Sequence, residues 1–242
     1  NLVTSSYSAR LLAEHGIQHV VHWQRGVDVQ LFDPARRTRG REGGAGGADG
    51  AGAGAGSAPL ALYVGRLAWE KGLQRLETLV RSGSVQLEVI GDGPDRERLE
   101  RIFDGTPTRF LGAVTGVELA VAYANADLFA FPSTTETLGL VLLEAFASGL
   151  PIVAAESPAS RELLAASPAA RLFPADRPEL AVRAVHELLA SGTREELGRI
   201  ARNGVTGWDW ASATAGLIDE YHAVLVEHAS VERPDAALGV GA

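Results

Sequence analysis

The 242-residue sequence has no cysteine and no methionine. The first absence excludes disulfides, zinc–thiolate sites and a cysteine nucleophile. The second means that the chain does not start at an initiator codon, and it is expected to be a piece of a longer protein. A basic surface is lacking too. The net charge is −8, which argues against a nucleic-acid partner. No run of about 18 apolar residues is present, so no membrane-spanning helix is expected. Several catalytic signatures are also missing. There is no G-x-x-x-x-G-K-[ST] phosphate loop, no G-x-S-x-G elbow, no D-x-D diphosphate–metal anchor and no G-x-G-x-x-G after the first strand. The six histidines are scattered without ligand spacing, so no metal site is expected.

What is present is a βα alternation. Apolar runs at 60–65, 85–91, 108–112, 127–132 and 151–155, with a weaker one at 170–174, read as strands. They are continuous rather than alternating, as expected where helices cover both faces of a sheet. Helical patterns fall between them at 71–81, 94–103, 116–125, 140–148 and 159–165. Three more follow at 178–189, 193–205 and 210–227. The fold class is therefore α/β, with a Rossmann-like, doubly wound parallel sheet. Ahead of it, 6–15 reads as a helix and 19–23 as a strand, joined to the main domain by a turn-rich linker stopped at Pro34. Residues 40–57, almost all Gly and Ala, are too poor in apolar side chains to fold and are expected to be disordered.

Polar signals concentrate at the carboxyl ends of the strands, where open α/β sheets bind ligands. In "YVGRLAWEKG" (63–72), Gly65 lets the chain turn sharply, and Arg66 and Lys71 flank the following helix start. Two cations beside free N–H groups suit a phosphate, although two solvated surface cations would look the same. "VIGDGP" (89–94) puts Gly91 and Gly93 after the second strand. It reads either as a weak nucleotide signal or as a tight turn with Pro94 at the first helical position and Asp92 or Asp95 as N-cap.

The most unusual stretch is "ETLGLVLLE" (136–144), two carboxylates seven residues apart around an apolar run. Carboxylates are almost never buried unless paired. Glu136 and Glu144 make sense as acceptors for ligand hydroxyls, and the alternative for Glu144 is an ion pair with a neighbouring Arg or Lys.

Together these motifs resemble the C-terminal, donor-binding half of a retaining glycosyltransferase of family 4, which has the GT-B fold. The match runs through "GVD..LF.P" (26–34), "VGRL..EKG" (64–72), "VIGDGP", "FLG" (110–112), "AYANADLFAFPS" (122–133) and "ETLGLVLLEAFASGLPIVA" (136–154). Within that family the detailed pattern, "WDWASAT" (208–214) included, looks most like the sulfoquinovosyltransferases of plants and cyanobacteria. The resemblance implies transfer of a sugar, sulfoquinovose in that subgroup, from a UDP-sugar to diacylglycerol. It implies Arg66, Lys71 and Glu136 as catalytic, the two cations on the diphosphate and Glu136 on the transferred sugar. Glu144 would hold the ribose, and Thr137, Leu138, Gly139 and Leu140 would contact sugar and phosphate, Leu138 to Leu140 through backbone amides. Leu111 and Val114 would line the uracil pocket with Gly91 nearby, and Gly65 would also belong to the donor-binding set.

No cofactor or metal is implied beyond the UDP-sugar donor. The lipid acceptor would bind an absent N-terminal domain, and any membrane contact, at a plastid or cyanobacterial surface, would come from that domain. The implied organisation is a remnant of the acceptor domain (1–24), a linker (25–39), the Gly/Ala insertion (40–57), the nucleotide-sugar domain (58–228) and a frayed tail (229–242). Alone, the piece is expected to bind donor weakly and transfer nothing. One departure stands out: the family's Gly-Gly-x-x-[DE] loop is replaced by "ESPASREL" (156–163). The alternatives are another hexosyltransferase of the family, mannosyl or glucosyl, and a non-catalytic nucleotide-sugar-binding module.

Overall fold

The computed structural model describes residues 1–39, 58–136 and 139–231. A short unit comes first, in which β1 (Leu2–Val3) pairs in parallel with β2 (Val21–His22) around α1 (Ser6–Glu14). Ser5 caps α1 by accepting from the Ser8 N–H. The main body then follows the βα order. Its elements are β3 (Leu60–Val64), α2 (Glu77–Arg81), β4 (Gln86–Ile90), α3 (Arg96–Ile102), β5 (Thr108–Gly112), α4 (Gly116–Asn125), β6 (Leu128–Phe131), α5 (Leu140–Ala147), β7 (Ile152–Ala155), α6 (Pro158–Leu164), β8 (Ala170–Phe173), α7 (Leu180–Ala190), α8 (Arg194–Asn203) and α9 (Trp210–Val231).

The six main strands are all parallel in the order β5-β4-β3-β6-β7-β8. The chain winds outward from β3 in one direction and returns beside it to wind in the other. The switch point therefore lies between β3 and β6. Strand residues alternate between two cores. Leu62, Phe129, Phe131, Ile152 and Ala154 pack on one face with Tyr123, Leu142 and Phe146. Ala61, Tyr63, Leu128, Ala130 and Val153 pack on the other with Leu79, Leu99 and Val185. Both faces are covered, which is why the strands read as unbroken apolar runs.

Three local expectations are corrected. The helix expected over 71–81 winds first as 3-10 turns at Trp69–Lys71 and Leu73–Leu76, because Gly72 between them sits at φ 74°. Pro34 starts a 3-10 turn, Pro34–Arg36, rather than stopping the segment. Pro94 lies in a turn before α3, which begins at Arg96. The Gly/Ala run at 40–57 lies outside the described residues. So does the tail beyond 231, although α9 continues through the first three residues of the expected tail.

The linker is firmly held. Asp127, which opens β6, takes Arg37 at 2.8 Å, Arg39 at 3.2 Å and the Leu60 N–H at 2.9 Å. Arg202 of α8 holds Asp33 at 3.0 Å and the Val29 carbonyl at 3.2 Å. Val27 and Phe32 of the linker are themselves buried in the first core.

Candidate functional site

The loops after β3, β4 and β6 meet at the switch point, and glycine lets them do so. Gly91 has φ 138°, and a Cβ there would drive into the Gly65 carbonyl. The Gly65 N–H donates to the Ile90 carbonyl at 3.0 Å, and the Gly91 N–H to the Gly112 carbonyl at 2.8 Å. The ends of three strands are thus laced backbone to backbone. Tyr63 props the first loop from below: its buried hydroxyl donates to the Arg66 carbonyl at 3.2 Å. Burial pushes the Tyr63 phenol up, and the charges of Glu136 and Glu70 push it further. Asp95 does not cap α3 with its side chain. Its carboxylate accepts from the Trp69 N–H at 2.8 Å and ties the second loop to the first.

Lys71 sits at the end of its 3-10 turn, and Gly72 beside it approaches the Pro132 carbonyl too closely to carry a side chain. The Lys71 ammonium meets Glu136 at 3.0 Å, with both side chains 23% exposed. Two residues expected in one crevice are therefore brought together from loops 65 positions apart. Arg66 is placed differently. It turns out to the rim, 60% exposed, and pairs with Glu70 four residues on. Exposed pairs of this kind contribute little, so Arg66 can leave Glu70 for a ligand at small cost.

Gly139 opens α5 at φ 59°, with no side chain capping the helix. The Leu142 N–H is already returned to the Gly139 carbonyl at 2.9 Å, and a helix start of this kind offers an anion the N–H groups ahead of it. Thr137 and Leu138 lie outside the described residues. Glu144 is half-buried on α5, and its partner is neither Arg nor Lys. The fully buried Tyr123 of α4 donates its hydroxyl to Glu144 Oε2 at 2.8 Å. Burial pushes the Glu144 carboxyl up from its ordinary 4.5, and the Tyr123 bond pulls it partly back. Phe129 stacks on the Tyr123 ring at 5.5 Å and Phe32 meets it edge-on at 5.4 Å. Nothing in the sequence pattern marks Tyr123, which reads as an ordinary core position of its helix. Leu111, 38% exposed, and Val114 lie at the end of β5 and just beyond it, flanking Gly112 on the far side of Gly91.

Another unforeseen residue is Arg25, which is 5% exposed. Its Nη2 donates to the Thr4 carbonyl at 3.1 Å. Burial pulls its guanidinium pKa down, while Glu162 and Glu136 pull it back up. The 156–163 segment lacks the glycine loop because it is a helix start: Ser157 and Ser160 form a reciprocal capping box for α6. Glu162 of α6 accepts from the Ser6 N–H at 2.9 Å and thereby caps α1 from outside.

This geometry sets cations, uncapped helical N–H groups and two carboxylates along one crevice at a switch point. Residues 53–204 match the family profile described as glycosyl transferases group 1. The chain belongs to that family. Among curated relatives of this group 1 chain, a sulfoquinovosyl transferase of Arabidopsis thaliana is 36% identical over 209 residues. That alignment covers 84% of this chain and 40% of the relative. A GDP-mannose-dependent alpha-mannosyltransferase of Mycobacterium tuberculosis is also 36% identical, over 232 residues covering 92% of this chain and 56% of the relative. The group 1 chain thus spans about half the length of these relatives. In structure it superposes on sucrose-phosphate synthase from Thermosynechococcus elongatus with a TM-score of 0.79 at 24% identity, covering 93% of this chain and 58% of that one. The Rossmann-like parallel sheet is that of GT-B glycosyltransferases.

Proposed function

We propose that this chain is the donor-binding half of a retaining glycosyltransferase that takes a nucleoside-diphosphate sugar. The Lys71–Glu136 pair carries the reading. A cation for the diphosphate and an acceptor for sugar hydroxyls stand 3.0 Å apart, beside the uncapped start of α5. Lys71 takes the diphosphate, with Arg66 swinging in from the rim. Glu136 exchanges the ammonium for hydroxyls of the transferred sugar, and Glu144, oriented by Tyr123, accepts from the ribose. Leu111 and Val114 lie against the base. Thr137, Leu138, Gly139 and Leu140 supply the close contacts to sugar and phosphate.

In the parent protein the acceptor hydroxyl attacks the anomeric carbon on the face the leaving group departs from. The new C–O bond forms as the bond to the diphosphate breaks, and the acceptor proton passes to a diphosphate oxygen. No protein nucleophile takes part. Lys71 and Arg66 act by stabilising charge that grows on the leaving group, where one such donor is worth about 3 kcal/mol. The acceptor is a lipid, diacylglycerol in the sulfoquinovosyl reading, and it binds outside these residues. This chain alone therefore binds donor without transferring the sugar.

A mannosyl donor carried on GDP is the second reading, favoured by the equal identity to the mannosyltransferase. Calorimetry with UDP and with GDP separates the two. Lys71→Ala is expected to weaken whichever nucleotide binds by about 2 kcal/mol, roughly thirtyfold. Glu136→Ala removes the carboxylate that competes for Lys71, so free nucleotide diphosphate should bind at least as tightly as to wild type. If neither nucleotide binds, or Lys71→Ala binds like wild type, the donor-site reading is wrong.

A further inference from the structure

Arg25 is a buried cation with a donor to spare. Its Nη2 is held by the Thr4 carbonyl at 3.1 Å, but its Nη1 is shut off from solvent and has no hydrogen-bond partner among the described residues. A charged N–H left unpaired in the interior is costly, and native proteins retain few such groups without a use. The Nη1 atom lies 3.6 Å from the point a Cβ on Gly139 would occupy. It therefore points at the left-handed residue that opens α5, where no side chain caps the helix. The carboxylates whose charge it feels are engaged elsewhere: Glu162 on the Ser6 N–H, and Glu136 Oε2 on Lys71.

We propose that Arg25 is a donor-binding residue whose Nη1 donates to an anionic oxygen of the nucleotide sugar held at the N-terminus of α5. The inference rests on the donor-site reading above and adds to it a cation from the linker, where the implied site held only Arg66 and Lys71. Nη1 is enclosed, so the ligand reaches it by displacing side chains at Gly139, where Leu163 Cδ1 and Leu142 Cδ1 stand nearest. Two parts of a donor present such an oxygen, the diphosphate and an acidic substituent of the sugar, and the chemistry Arg25 offers is the same for both.

The test is calorimetry on this chain with UDP, GDP, UDP-glucose and UDP-glucuronate, comparing wild type, Arg25→Gln, Arg25→Lys and Lys71→Ala. Uridine and guanosine binding are followed alongside by ligand-observed NMR. Arg25→Gln is expected to weaken the bound nucleotide diphosphate about tenfold or more, as loss of a charge-assisted hydrogen bond should. Arg25→Lys should fall between, and nucleoside binding should not change. A loss confined to UDP-glucuronate assigns the contact to an acidic sugar substituent instead of the diphosphate. Wild-type affinity for every ligand in Arg25→Gln, with Lys71→Ala weakened, overturns the role of Arg25 and leaves the donor site standing. An equal loss of nucleoside and nucleotide binding also overturns it, since that marks a loosened fold. No nucleotide binding to wild type removes the donor site and this proposal with it.

Discussion

The Tyr123 hydroxyl donates to Glu144 at 2.8 Å from a ring that solvent does not reach. A carboxylate set into an apolar helix is thereby supplied with one firm donor from inside the protein, while the residue itself is only partly covered. The two residues lie 21 positions apart on different helices.

Removing that donor makes the carboxylate harder to keep ionised. Tyr123→Phe is expected to cost about 1–3 kcal/mol, the penalty for leaving a buried polar group unsatisfied. The sign of the pH dependence follows from Glu144 being raised in the folded state. Above its ordinary 4.5 the unfolded chain sheds the proton that the folded chain still holds, so this group's contribution to stability falls as pH rises through that window. In Tyr123→Phe the folded value rises further. The cost of the substitution should therefore be smaller at pH 4 than at pH 7, as read by urea unfolding at both.

Glu144→Gln separates structure from ligand binding. The amide oxygen still accepts from Tyr123, and no charge is left to bury. Thermal stability at pH 7 should be retained or slightly raised, while nucleotide affinity falls. A variant that binds UDP and GDP like wild type would leave Glu144 a structural residue only.

Gly91 and Gly83 make a controlled pair. Both have positive φ, but a Cβ on Gly91 runs into the Gly65 carbonyl, whereas one on Gly83 meets open space. Gly83→Ala should cost about 1–2 kcal/mol for the left-handed backbone. Gly91→Ala should exceed 4 kcal/mol, in the range reserved for steric failure of the core, or prevent folding. Equal costs in urea unfolding would mean that the two strand ends are not packed as described.

Asp127→Asn tests the linker clasp. The carboxylate stands among Arg37, Arg39 and Arg194, and its removal leaves these guanidinium groups facing one another. A fully buried pair would lose 3–5 kcal/mol, and the 20% exposure of Asp127 reduces this to about 2 kcal/mol. Added salt should recover part of the loss by screening the arginines. The readout is the urea midpoint at low and high ionic strength.

Much of the fold was legible because its strands are buried on both faces, and unbroken apolar runs such as "LALYV" and "LFAF" announce that directly. Helix α4 was also placed residue for residue. The site was legible only where motif and geometry coincide. Lys71 and Glu136, both singled out in the motifs, stand 3.0 Å apart because Gly72 lets their loops touch. Partners joined by tertiary packing were not. Tyr123 looks like any core aromatic until Glu144 is set against it. Asp95 reads as a helix cap until the Trp69 N–H is seen to claim it. Arg25 sits in a linker motif that gives no sign of burial. The 3-10 winding over 69–76 was missed because helical spacing of apolar residues does not register one left-handed glycine.

The arginines of the linker clasp do more than neutralise Asp127. Arg37 Nη1 gathers the carbonyls of Ala124, Asn125 and Ala126, and Arg194 takes two of the same three. These are the groups that close α4, and Tyr123 stands one residue before them. A helix of this length is a rod of about 15 Å. It is gripped at that end, one residue beyond the Tyr123 whose hydroxyl meets Glu144. The donor on which Glu144 depends is thus fixed in place by the same arginines that neutralise Asp127.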